Sequence, residues 1–143
     1  MSSLTAWRTA AFTIWSKSAR RERTRQSIDL GVDAPGFAPA VRRFEKLLSD
    51  IEAALAKGAW LAGDDYSLAD IAYSPYMQRL THLGFEDRIR MRPRVAAWAA
   101  RIFATAGFRQ GVEQWNNPDY LEIFDRERPA ARLRIERIVE TGK

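Results

Sequence analysis

The sequence has no cysteine and a single histidine, His82. That excludes a disulfide scaffold, a Cys/His zinc site, a thiolate nucleophile and a Cys–His dyad. No run approaches the roughly 18 apolar residues that a membrane span requires. The start of the chain lacks the basic segment and apolar core of a signal peptide, so a cytoplasmic location is expected. Phosphate-cradling G-x-G-x-x-G and G-x-x-x-x-G-K-[ST] loops are missing, as are H-E-x-x-H and G-x-S-x-G. No alternating strand run and no Asn-Gly or Asp-Gly hairpin turn occurs, and there is no internal repeat.

What is present is a chain of 143 residues, 46% hydrophobic and 29% charged. That balance suits one globular domain with a real core. The formal charge is +5, and 19 of the 23 basic residues are arginines. A basic excess invites a nucleic-acid reading. These arginines, however, are spread along the chain with acids beside them, as in Arg21–Glu22–Arg23 and Glu86–Asp87–Arg88. Interspersed charge of this kind reads as a solvated helical face, so neither nucleic acid nor membrane is an expected partner.

Helical periodicity recurs throughout. Residues 4–18 place Leu4, Trp7, Ala11, Ile14 and Trp15 on one face. The charged ARRERTRQ stretch could extend that helix, and GVDAPGFAP, with two Gly and two Pro, reads as a loop. From first-turn Pro39, the residues Val41, Phe44, Leu48, Ile51 and Leu55 form a seam four turns long, with Gly58 as its stop. A third helix begins at Ser67. Ser67 is the expected N-cap and Asp70 its N3 partner in a capping box, with Tyr66 and Ile71 as the flanking hydrophobic staple. Pro75 should kink this helix and Gly84 should end it. A fourth helix starts at Pro93, buries Val95, Trp98, Ile102 and Phe103, and is expected to stop at Gly107. The tail has Leu133, Ile135, Ile138 and Val139, too few to define a strong face. The expectation is an all-α bundle of five to six helices. Residues 1–36 would be a helix and linker, 37–115 the core bundle and 116–143 a peripheral basic tail.

Few residues carry a chemical signal. His82 could act as a base, but beside a helix end it suits the carbonyls and dipole there. Asp64 and Asp65 are too few to hold Ca²⁺ and suit a turn. Asp70 could be an acid, yet its N3 position assigns it to the cap. No catalytic residue and no metal ligand emerges. The aromatic sets Trp7, Phe12 and Trp15, and Tyr73, Tyr76 and Met77, could line an apolar ligand pocket. Helical spacing suits core packing equally.

From Phe44 to Trp115 the sequence resembles the C-terminal helical domain of glutathione S-transferases. The carrying segments are FEKLLSDIEAALAKGAWLAGDDYSLADIAYSPYMQRL and RPRVAAWAARIFATAGF. L-A-G-D-x-x-S-L-A-D-I-A is similar to the family's capping box and staple, and P-R-V-A-A-W to the start of its next helix. The resemblance implies a domain that contributes the hydrophobic-substrate pocket and subunit contacts. It also implies glutathione as co-substrate, bound and activated by a thioredoxin-like domain that these 143 residues do not resemble. The chain itself would then need no cofactor and show no conjugation alone. Its expected partners are a hydrophobic small molecule and a thioredoxin-like domain or a second copy of itself. Leu4, Trp7, Ile14 and Trp15 would be the face of a homodimer. A non-enzymatic helical interaction module is the alternative.

Overall fold

In the computed structural model, the structure describes residues 17–141. Among them are seven α-helices: α1 Lys17–Leu30, α2 Phe37–Ala54, α3 Leu68–His82, α4 Glu86–Arg90, α5 Pro93–Phe103, α6 Ala106–Gly111 and α7 Pro118–Thr141. Two of them, α4 and α6, are little more than single turns. No strand occurs among the described residues, only an isolated bridge between Trp60 and Gly63. The all-α expectation holds. Two compact units divide the chain, residues 1–40 and 41–143.

In the first unit, α1 is the charged stretch, running in helical form to Leu30. It carries exposed ion pairs of Arg25 with Glu22 and Asp29, which contribute little to stability. A 3₁₀ turn, Gly31–Asp33, follows, with Gly31 at φ +53°. That conformation is cheap only for glycine. The expected loop is thus shorter than its Gly and Pro content implied. Helix α2 begins at Phe37, with Pro39 in the first turn, where a missing N–H has no intrahelical partner to lose.

The second unit holds the core. The α2 seam buries Val41, Leu48, Ile51 and Leu55, and the Phe44 ring meets Phe85 edge-on at 5.9 Å. The helix ends at Ala54. Gly58 therefore does not cap it. Gly58 lies in the following turn, where a Cβ would fall 2.5 Å from the Gly63 carbonyl oxygen. A tight reversal, Trp60 to Gly63, is closed by reciprocal backbone hydrogen bonds of 2.8 and 3.1 Å.

Helix α3 runs through Pro75 without interruption. Proline lacks the N–H that would reach the Ile71 carbonyl. The buried Ser74 hydroxyl donates to that carbonyl instead, at 2.9 Å. The helix ends in a Schellman turn. The Gly84 amide, at φ +89°, bonds the Thr81 carbonyl, and the Phe85 amide bonds that of Leu80.

Helix α5 has no capping side chain of its own. Glu52 of α2 takes that role, accepting from the Val95 amide at 2.9 Å and the Arg94 amide at 3.3 Å. Val95, Trp98 and Ile102 are fully buried. The helix stops at Phe103 rather than Gly107. Thr105 caps the next turn by accepting from the Phe108 amide, and Gly107 lies inside α6. A local cap thus overrides the glycine as the boundary.

The basic tail forms the 24-residue helix α7. Its Ile135 and Ile138 are buried, at 1% and 0% exposure, and it packs on α3. Leu133 and Ile123 remain exposed, which explains the weak face read from the tail's composition. No helix among the described residues is long and apolar enough to cross a membrane.

Candidate functional site

Asp70 accepts four hydrogen bonds in the second unit. It is fully buried on the first turn of α3. Its Oδ2 accepts from the Ser67 amide at 2.9 Å and the Ser67 hydroxyl at 2.8 Å, and that hydroxyl accepts from the Ala69 amide at 3.3 Å. Its Oδ1 accepts from the Leu61 amide at 3.0 Å and the Trp98 indole at 2.7 Å. Burial alone would raise the Asp70 carboxyl. The Leu61, Trp98 and Ser67 donors outweigh burial and hold it below the usual carboxylate range. A general acid needs the opposite, a carboxyl kept protonated near the working pH. The arrangement joins three segments, the Trp60–Gly63 reversal, α3 and α5. The Ser67–Asp70 pairing was readable from spacing. Leu61 and Trp98 were not, although a buried indole N–H is itself a signal that an acceptor lies nearby.

The flanking staple pair is less enclosed. Tyr66 meets Trp60 edge-on at 4.9 Å and is 45% exposed, and Ile71 is also about half exposed.

The pocket candidates on α3 differ in burial. Met77 is fully buried in the core. Tyr73 and Tyr76 are 38% and 54% exposed. The two tyrosine rings lie 6.3 Å apart. Trp7, Phe12 and Trp15 lie outside the described residues. At the other end of α3, His82 stacks on Phe124 of α7 at 6.0 Å, and Arg79 lies over the same ring. The buried Nδ1 of His82 has no hydrogen-bond partner. Burial, then Arg79 and Arg128, push its pKa down, with Glu86 opposing.

A second polar network ties α2 to the α4–α5 segment. Glu45 is held bidentately by Arg88 at 2.9 and 2.7 Å and by Arg92 at 3.0 Å. Against the upward pull of burial, the two guanidiniums keep the Glu45 carboxyl below its ordinary value. Both partners of Glu45 come from more than 40 residues away in sequence.

Comparison with known proteins agrees with this architecture. The family model for the glutathione S-transferase C-terminal domain matches residues 5–101, and the chain belongs to that family. It is 30% identical over 89 residues to 2,5-dichlorohydroquinone reductive dechlorinase of Sphingobium indicum, covering 59% of this chain and 26% of that protein. It is 29% identical over 87 residues to glutathione S-transferase PARB of Nicotiana tabacum, covering 61% of this chain and 41% of that protein. Tetrachloro-p-hydroquinone reductive dehalogenase of Sphingobium chlorophenolicum is 33% identical over 76 residues, 53% of this chain and 31% of that protein. The chain thus spans about a quarter to two-fifths of the length of these relatives. No solved structure matches it.

Proposed function

We propose that the chain supplies the hydrophobic-substrate side of a glutathione-dependent transferase, with Tyr73 and Tyr76 facing the substrate. The exposed apolar side chains of α3 carry this reading: Leu68, Ile71, Tyr73 and Tyr76 are all exposed on one family-matched helix. Large apolar side chains clustered in the open mark a surface that something else covers. Trp7, Phe12 and Trp15 are assigned to the same role from sequence. Glutathione is the co-substrate, held and activated by a thioredoxin-like domain. A thiolate must be generated for conjugation or reductive dehalogenation, and that step is assigned to the thioredoxin-like domain. The names of two relatives nominate chlorinated hydroquinones as first substrates to test. The proposed compartment is the cytoplasm. The proposed assembly is a homodimer through Leu4, Trp7, Ile14 and Trp15.

The deciding assay follows glutathione consumption with a chlorinated hydroquinone and with an aryl halide. The chain alone should show no turnover above the uncatalysed rate. With a thioredoxin-like domain added, turnover should appear, and Tyr76→Ala should raise KM for the aromatic substrate. Turnover by the chain alone would overturn the division of labour. No turnover in either arm favours the alternative, a helical module that uses the exposed α3 side chains to bind another protein. Sedimentation at micromolar concentration checks the dimer, which Trp7→Glu with Trp15→Glu should dissociate.

A further inference from the structure

Beyond the end of α2, the turn from Gly58 towards Gly63 lies against α5 and leaves a cleft of about 320 Å³. Its walls are small residues: Gly58, Ala59 and, on α5, Ala97. Leu55, only 7% exposed, closes the apolar floor. Gly58 cannot carry a side chain, because its Cβ would strike the Gly63 backbone. The opening is therefore maintained by a backbone approach that forbids a larger residue on that wall. Small-molecule sites commonly span about 300–1,000 Å³, so this one suits a single compact ring system and excludes a folded segment.

Two guanidiniums on α5 stand at the rim, Arg94 and Arg101. They are not equivalent. Arg94 pairs with Glu52 at 3.2 Å, and the same carboxylate is fixed by the Arg94 and Val95 amides. That end of the cleft is electrically closed. Arg101 donates to the Ala59 carbonyl at 2.5 Å and lies over the Trp60 ring at 5.2 Å. Neither partner carries a negative charge, and no described carboxylate forms an ion pair with Arg101. A guanidinium offers five N–H donors in a fork that matches a carboxylate. The carbonyl and the indole hold this fork in place, and the bond to Ala59 engages Nη2.

We propose that the cleft binds a small aromatic monocarboxylate, with its carboxylate on the Arg101 fork and its ring against Leu55 and Ala97. Charge selects the anionic end, and the Glu52–Arg94 pair leaves the other end to an apolar edge. The site is independent of the exposed α3 side chains and needs no thioredoxin-like domain.

The test is a titration of the full chain with 2-naphthoate, read by calorimetry and by shifts of the Trp60 indole and Ala97 amide signals in NMR. Saturable binding is expected. Arg101→Gln and Ala97→Leu should each weaken it by at least about tenfold, a factor worth roughly 1.4 kcal/mol. Both positions are exposed on a helix, and unchanged far-ultraviolet circular dichroism verifies the fold of each variant. The neutral 2-naphthamide should bind at least about tenfold more weakly than the acid, for want of the charge-assisted pair. Arg43→Gln, an exposed arginine outside the cleft, should change nothing. Absence of saturation up to about 10 mM, the weak limit of measurable affinity, would overturn the proposal. So would equal affinity in the Arg101 and Ala97 variants, or shifts confined to other residues.

Discussion

Trp98 and Asp70, separated by 28 residues in sequence, meet in the core through a 2.7 Å bond from the indole Nε1 to Oδ1. Both are fully buried. The bond gives a local helix cap a tertiary role: the carboxylate that starts α3 also orients the central tryptophan of α5.

Asp70→Ala should therefore cost more than a surface cap. Cap loss alone is worth about 0.5–2 kcal/mol. Here the Leu61 amide and the Trp98 indole also lose their acceptor, at about 1–3 kcal/mol for each buried orphan. The melting temperature should drop by at least about 5 °C, given roughly 2–8 °C per kcal/mol at this size. Trp98→Phe removes one of the four donors and should cost less than Asp70→Ala. A double-mutant cycle should show coupling of about 1–3 kcal/mol between the two positions. Additive effects would mean that the bond does not form.

Legibility in the sequence tracked the range of the interaction. The Ser67–Asp70 cap spans three residues and uses residue types that few other arrangements favour, so it was readable. The α2 seam was readable because one periodic face is buried over its whole length. Gly107 misled because a helix stop is a competition, and the hydroxyl of Thr105 two residues earlier wins it. The tail misled for a different reason. Ile135 and Ile138 are only two apolar positions, but α7 places both inside the core, and no local pattern records which neighbour receives them. Partners of Asp70, Glu45 and Arg101 that come from distant segments left no mark in spacing. Of the pocket candidates, Tyr73 and Met77 stand one turn apart on the same side of α3, yet Met77 is buried and Tyr73 is 38% exposed, so helical spacing alone could not separate core from surface.

Gly58→Ala should destabilise the second unit although the residue is neither buried in the core nor at positive φ. The added methyl would meet the Gly63 oxygen at 2.5 Å, so the Trp60–Gly63 reversal must open. Overpacking of this kind costs about 1–3 kcal/mol. Urea unfolding measures it. Gly107→Ala is the control, since nothing lies within 4 Å of a Cβ there. Replacing a helical glycine with alanine is expected to be neutral or stabilising by up to about 1 kcal/mol.

Two isoleucine and leucine truncations in α7 separate an integral helix from an appended one. Ile138→Ala removes a side chain with 0% exposure and should cost about 2–5 kcal/mol. Leu133→Ala, at 64% exposure, should stay within about 0.5 kcal/mol of the parent. Equal, small effects in the two variants would show that α7 does not share the core of the second unit.

The pH dependence of stability should have two acid steps with different owners. His82 has its folded pKa pushed below the ordinary 6.5 by burial and by Arg79 and Arg128. Its neutral form is thus the one that the fold prefers. The unfolded chain binds a proton first as pH falls, so this contribution is complete above about 6.5 and declines below it, until the folded imidazole is also protonated. Asp70 and Glu45 have folded values below the ordinary 3.8 and 4.5. For them the charged form is preferred, and their contribution persists through the first step and declines only below about pH 4.5. Because His82 is the sole histidine, His82→Phe should abolish the upper step and leave the lower one, while keeping a ring to stack on Phe124. Urea midpoints across the acid range resolve the two steps, and the imidazole proton signals give the folded pKa directly. A folded value at or above 6.5, or an upper step that survives His82→Phe, would refute the assignment to this side chain.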